Sequence, residues 1–198
     1  MDIEKAFLAD LGLVYDDVEF MTRFVGTSDA DFVAMLRADH AGRGKGLFPD
    51  DFLDRVRAAC WDRFTTDLRA IDGVKHFLEA LNCPIAVASS STVRSLRRKL
   101  SLTGLAGSFG DHVYSAEVVQ NGKPAPDLFL HAATQLSISP PQCVVIEDSI
   151  NGVKAGVAAG MRVWGFTGGG HADDGLEARL KDAGADRVYQ SFRQMKAI

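Results

Sequence analysis

The sequence predicts an α/β protein, with a parallel-sheet core and an all-helical segment attached on its N-terminal side. Three observations carry this expectation. Residues 143–166 read strand, helix, strand without interruption. From residue 70 onward, short apolar runs alternate with helical periodicity, the signature of a parallel sheet covered by helices. Before residue 70 no strand-like run occurs.

The helical half is read from its apolar stripes and their stops. Ile3, Phe7, Leu8 and Leu11 form one stripe, ended by Gly12; Val18, Met21, Phe24 and Val25 form a second, closed by Gly26. Thr27 or Ser28 can cap a third helix carrying Phe32, Val33, Met35 and Leu36. His40 to Gly46 reads as a flexible basic loop. Phe48-Pro49-Asp50-Asp51 then starts a longer helix through Phe52, Val56, Cys60, Phe64 and Leu68.

The pattern changes at Ala70-Ile71-Asp72-Gly73. A helix spans 74–81, and Pro84 to Ala88 is a short buried strand running into Ser89-Ser90-Ser91-Thr92. Val93 to Leu100 is a basic amphipathic helix, Asp111 to Ser115 a strand, and Asp127 to Leu136 a helix. Cys143 to Ile146 has the β-branched content of a buried parallel strand. It ends in Glu147 and Asp148; Ser149 is positioned as an N-cap, and Gly160 stops the helix that follows. Met161 to Phe166 is the next strand. A glycine-rich loop, a helix over 176–183 and a short strand at Arg187-Val188-Tyr189 complete the chain.

Composition narrows the function classes. The 198 residues are 46% hydrophobic, enough for a real core. The formal net charge of −4 argues against nucleic acid as a partner. Cys60, Cys83 and Cys143 are odd in number and widely spaced, which fits a reducing cytoplasm better than a disulfide framework or a zinc site. No apolar run approaches the roughly 20 residues of a membrane span. A soluble, cytoplasmic protein is expected, with no nucleic-acid or membrane partner.

Three groups stand at strand ends on what would be one edge of the sheet, where open α/β sheets place their ligands. Ser89, with the backbone N–H groups of Ser90 and Ser91 at a helix start, suits a phosphate oxygen, although such a serine triplet also serves as an ordinary capped turn. Lys123 lies beside two prolines that stiffen its backbone, an unusual setting for a solvated lysine. Glu147 and Asp148 are adjacent acids that repel each other unless a cation or donor intervenes, and magnesium takes such ligands. A hydroxyl, an ammonium and an acid pair form an inventory for holding a phosphoryl group with a metal ion.

Ile85-Ala-Val-Ala-Ser-Ser-Ser91, Gly122-Lys-Pro-Ala-Pro-Asp127 and Val145-Ile-Glu-Asp-Ser-Ile-Asn-Gly152 resemble the second, third and fourth motifs of the haloacid dehalogenase superfamily. Their order and spacing are similar to those of its β-phosphoglucomutase-like branch. Ile71 to Leu81 resembles the helix that returns the chain from cap to core, with Asp72 where proline is commoner, and Ala183-Gly-Ala-Asp186 resembles the closing segment. The resemblance covers nearly the whole chain. It implies a Rossmann-like core domain over residues 70–198 and a helical cap domain over residues 1–69. It also implies that Ser89 and Lys123 act on the transferring phosphoryl group, that Ser90, Ser91 and Asn151 help to bind phosphate or substrate, and that Glu147 and Asp148 hold Mg²⁺. A small phosphorylated substrate and a monomer are the expected partner and assembly.

One feature departs from the family pattern. The family opens with an apolar strand ending Asp-x-Asp-Gly, whose first aspartate is the nucleophile and whose second is the general acid/base. No such segment precedes the helical half. Asp29-Ala-Asp31 follows Gly-Thr-Ser rather than a β-run and reads as helix-starting acids. In the family the missing strand is central, between those ending at Ser89 and Glu147. Its loss would expose two strand edges and remove several apolar side chains worth roughly 1.5–3 kcal/mol each. The natural product is therefore expected to be longer, and these residues alone to be poorly stable and without turnover.

The function implied is Mg²⁺-dependent phosphoryl transfer, a phosphatase of small metabolites such as sugar phosphates, acting through an aspartyl-phosphate whose nucleophile lies upstream. A sugar-phosphate mutase reuses the same intermediate. A haloacid dehalogenase shares the fold but needs no Mg²⁺, and the tandem acids argue against it. A non-catalytic phosphate- or metal-binding protein is the rival from another class. Among weaker signals, Gly168-Gly-Gly170 with His171 lacks dinucleotide-motif spacing, and Arg43 and Lys45 read as a solvated loop. Arg94, Arg97, Arg98 and Lys99 read as a wet helix face. His40, His76, His112 and His131 have no partner at metal-ligand spacing.

Overall fold

The computed structural model describes residues 2–43, 46–170 and 172–195; Lys45 and His171 lie outside them. Four helices come first: α1 (Asp2–Asp10), α2 (Asp17–Arg23), α3 (Asp29–Gly42) and α4 (Phe52–Asp67). Asp16 and Ser28 cap α2 and α3 by accepting the N–H groups of Glu19 and Asp31. Their apolar stripes meet in one cluster containing Leu8, Phe20, Phe24, Leu36 and Phe52. His40 belongs to α3 rather than to a loop: it is buried and meets the Phe48 ring edge-on. Helical spacing from Leu36 carries it inward, against the polar reading of its neighbours.

From α5 (Val74–Ala80) onward the chain alternates: β1 (Val87–Ser89), α6 (Val93–Leu102), α7 (Ala106–Phe109), β2 (Val113–Ser115), α8 (Asp127–Leu136), β3 (Val144–Glu147), α9 (Ile150–Ala158), β4 (Arg162–Phe166), α10 (Leu176–Asp182) and β5 (Arg187–Tyr189). All strand pairs are parallel. The fold is thus α/β. No helix among the described residues is long and apolar enough to cross a membrane.

β1 is shorter than the sequence predicts and includes Ser89, because its ladder with β2 runs from Val87↔Val113 to Ser89↔Ser115. Residues 84–86 have no strand partner there, and Pro84 has no N–H to offer one. α7 is a single four-residue turn below the length at which periodicity can be read.

The strands form two sheets, β1-β2 and β3-β4-β5, with no ladder between β1 and β3 among the described residues. Helices span that division. α8 packs on β1 and β2 and also on α9, which covers β3 and β4; α10 continues the layer over β4 and β5. Beneath it lies a cluster around Phe129, Val145, Val153, Val163 and Leu180, which Met21 of α2 joins. The carboxyl ends of β1 and β3 therefore come to one place, facing α2 and α3.

Candidate active site

β1 ends at Ser89 and β3 at Glu147, and both line a cavity of about 450 Å³ between the two sheets. Ser90, Ser91, Lys123, Asp148 and Ser149 also line it, with Thr27 and Asp29 from the helical half. Six of the seven predicted residues (Ser89, Ser90, Ser91, Lys123, Glu147 and Asp148) thus meet in one place, and Asn151 is not on the cavity lining.

Lys123 is the post that joins the two sheets. It is 4% exposed, and the Lys123–Pro124 peptide that follows is cis. Its ammonium donates to the Ala88 carbonyl of β1 at 3.2 Å and is ion-paired with Glu147 of β3. It also lies 4.6 Å from the centroid of the Phe129 ring on α8. A buried ammonium is tolerated when paired and hydrogen-bonded, as this one is. Glu147 is 9% exposed and takes a second hydrogen bond at 3.0 Å from the Ser149 hydroxyl. That hydroxyl in turn accepts the Gly152 N–H at 3.0 Å as the N-cap of α9. Strand end, cap and helix start are locked into one unit.

The serines divide their work. The Ser89 hydroxyl accepts the Ser91 N–H at 3.2 Å, closing the turn in which it sits and leaving its own proton for a ligand oxygen. Ser115 fixes the turn from below by donating to the Ser91 carbonyl at 2.8 Å. The Ser90 hydroxyl is committed elsewhere, to the Gly26 carbonyl at 2.7 Å. Asn151 likewise donates to the Val25 carbonyl at 2.9 Å. These two predicted ligand residues therefore anchor the turn after α2. Gly26 in that turn has φ +85°, and a Cβ there would come within 2.5 Å of the Ser149 oxygen. Replacing Ser90 or Asn151 by alanine is expected to cost about 0.5–1.5 kcal/mol each, read as a shift in the thermal midpoint, and to loosen the helical half over the cavity.

Asp148 lines the cavity beside Glu147. Among the charged residues that line it, three are carboxylates (Asp29, Glu147, Asp148) and one is an ammonium, Lys123. A phosphate dianion entering this space meets surplus negative charge, which a hard divalent cation would neutralise. Glu147 and Asp148 are oxygen donors of the right kind. Among the described residues no three His, Cys, Asp or Glu side chains cluster as a complete metal cage. Mg²⁺ characteristically needs no such cage, taking one or two carboxylates and completing its shell with phosphate and water. The residues fit the ion.

The sequence did not disclose the part played by the helical half. Asp29 stands in the first turn of α3, as its position after Ser28 implies, yet it also lines the cavity and pairs with Arg57 of α4. Lys99 is not on a wet face. Trp61 and Phe64 of α4 reach over α6, so that Arg98 stacks on the Trp61 ring at 4.2 Å and the Lys99 ammonium lies 5.1 Å from that of Phe64. Two elements from opposite halves of the chain meet there, and no single-helix pattern encodes it.

A sequence model of the family "haloacid dehalogenase-like hydrolase" matches residues 2–160. The 6-phosphogluconate phosphatase of Escherichia coli is 26% identical over 82% of this chain and 72% of its own length. The bifunctional riboflavin kinase/FMN phosphatase of Arabidopsis thaliana is 31% identical over 82% of this chain, which spans 42% of that protein. A crystal structure of a haloacid dehalogenase-like protein from Agrobacterium tumefaciens superposes with a TM-score of 0.79 at 34% identity, covering 97% of this chain and 86% of that one. A hydrolase of the same family from Deinococcus radiodurans, solved with bound phosphate and sodium, gives 0.69 at 37% identity, over 98% and 84% of the two chains.

Proposed function

Since this chain belongs to the haloacid dehalogenase-like hydrolase family, we propose that it is the phosphate-binding part of a Mg²⁺-dependent phosphatase of small phosphorylated metabolites, sugar phosphates among them. The observation that carries the reading is Lys123, a buried ammonium held at the shared carboxyl end of two parallel sheets beside the Ser89 hydroxyl and the Glu147–Asp148 pair. The relatives' names support the substrate class, since they include phosphatases of 6-phosphogluconate, FMN and hexitol phosphates.

In this reading Ser89 donates its hydroxyl proton to one phosphoryl oxygen, and Lys123 places its positive charge beside another. Both interactions gain strength as negative charge develops on those oxygens, which is how fixed donors lower a barrier. Glu147 keeps Lys123 in place, and Ser149 keeps Glu147 in place. Glu147 and Asp148 would hold Mg²⁺, which would neutralise phosphoryl charge. The nucleophile is an aspartate carried on a strand outside these residues. The split between β1 and β3 supports that assignment: each sheet turns an edge toward the same cavity, and a parallel strand laid there would end beside Ser89 and Lys123.

Phosphate release from a panel of phosphorylated metabolites tests this, using the chain extended at its N-terminus by an apolar strand ending Asp-x-Asp-Gly. The expected result is turnover that disappears on chelation of Mg²⁺ and on replacing the first added aspartate by asparagine. Turnover indifferent to chelator would overturn the metal assignment. Phosphate binding without turnover in the extended chain would favour a binding protein.

A further inference from the structure

A second cavity, of about 620 Å³, lies between α4 of the helical half and α6 of the core. It shares Val25, Thr27, Asp29 and Ser91 with the cavity that holds Ser89 and Lys123, so the two adjoin. We infer that this second cavity seats the far end of the substrate and that Lys99 there binds an anionic group, so that the preferred substrates are phosphorylated metabolites carrying a second acid, such as phosphorylated sugar acids. The inference rests on the phosphatase reading above and specifies its substrate class.

Four cations line the cavity, Arg57, Arg94, Arg98 and Lys99, beside the carboxylates of Glu4, Asp29 and Asp54; Arg94 is exposed. Arg57 is paired with Asp29, and Arg98 is stacked on Trp61. Lys99 is half-buried. Its contacts are the Ser91 hydroxyl at 3.4 Å and the face of Phe64, and among the described residues it has no carboxylate within ion-pair distance. Burial lowers its pKa, an effect opposed by Cys60, Asp29 and Glu4 without being cancelled. The neighbouring Cys60 offers no counter-charge, because burial pushes its thiol pKa up. An ammonium in this state gains most from an incoming anion, which restores the interaction that desolvation removed.

Position selects the ligand. Ser91 donates its N–H to Ser89 and meets Lys99 through its hydroxyl. The phosphoryl position and the Lys99 ammonium thus flank one residue, a separation that a small metabolite spans. Hexitol phosphates and phosphorylated aldonic acids differ at the far end by a neutral hydroxyl against a carboxylate. Lys99 discriminates between them, with a charge-assisted hydrogen bond worth on the order of tenfold in affinity.

Calorimetric titration with Mg²⁺ of the N-terminally extended chain, its first added aspartate replaced by asparagine, tests the inference without needing turnover. The probes are inorganic phosphate, a hexitol 6-phosphate and a 6-phosphoaldonate. The expected result is that the aldonate binds about tenfold tighter than the hexitol phosphate. Lys99→Met should abolish that preference while inorganic phosphate binds unchanged, and Lys99→Arg should retain part of it. Lys99→Gln provides a second neutral variant if the methionine chain does not fold. Phosphate binding with equal affinity for the two larger probes, or a preference that survives Lys99→Met and Lys99→Gln, would overturn the role of Lys99 and leave the phosphatase reading standing. If none of the three probes binds, both fall.

Discussion

Replacing Lys123 by methionine is expected to destabilise the fold by about 3–5 kcal/mol, the cost of stranding one member of a buried ion pair. The partner left behind is Glu147, 9% exposed, whose remaining donor is the Ser149 hydroxyl. Methionine fills much of the space beside Phe129 left by the lysine stem, so packing is a minor part of the loss. Against a domain stability of about 5–15 kcal/mol, the variant should stand close to the folding threshold. Replacing Glu147 by glutamine as well removes the orphaned charge, and the double variant should recover most of the stability while binding no phosphate. Denaturant midpoints for the two single variants and the double variant decide the matter. A Lys123→Met protein as stable as its parent, or a double variant no better than the single one, would show that the pair is not the clamp between the sheets.

That clamp was only partly legible in the sequence. The unusual setting of Lys123 could be read from its prolines, and the acids of β3 from their place at the end of an apolar run. Their direct pairing could not, because it depends on how residues 123 and 147 approach across the division between β1 and β3. The β3–α9–β4 unit was the most legible part, since its apolar residues, its Ser149 cap and its Gly160 stop all favour one local structure. β1 was less so: an apolar run sets the maximum length of a strand, and its ladder partner sets the actual one. His40 and Lys99 show a further limit. Both stand in polar stretches, and both are drawn in by aromatic residues outside their own helices, Phe48 for the first and Phe64 for the second. Ser90 and Asn151 were legible as residues of the site, but their hydrogen bonds to the Gly26 and Val25 carbonyls depend on where the helical half rests.

A large effect is also expected at a residue with no side chain. Gly152 stands in the first turn of α9, and a Cβ built on it overlaps the carboxyl group of Glu147. Helix propensity alone would favour alanine there by up to about 1 kcal/mol, so a naive stabilising substitution would choose it. The overlap reverses the sign. Glu147 cannot swing away without leaving both Lys123 and Ser149, and α9 cannot shift without disturbing Val153 and Ala155, which are fully buried. Gly152→Ala is therefore expected to destabilise by about 2–3 kcal/mol, near the top of the usual cost of overpacking, and to weaken phosphate binding by displacing Lys123. Shortening the obstacle provides the control. Glu147→Asp draws the carboxylate back by one methylene, so in that background the alanine should cost much less, a non-additivity that a double-mutant cycle measures. Urea midpoints compared at unchanged m-value read the effect as stability. Additive penalties, or a neutral Gly152→Ala, would mean that the carboxylate has another place to go and that the unit of strand end, cap and helix start is looser than its hydrogen bonds imply.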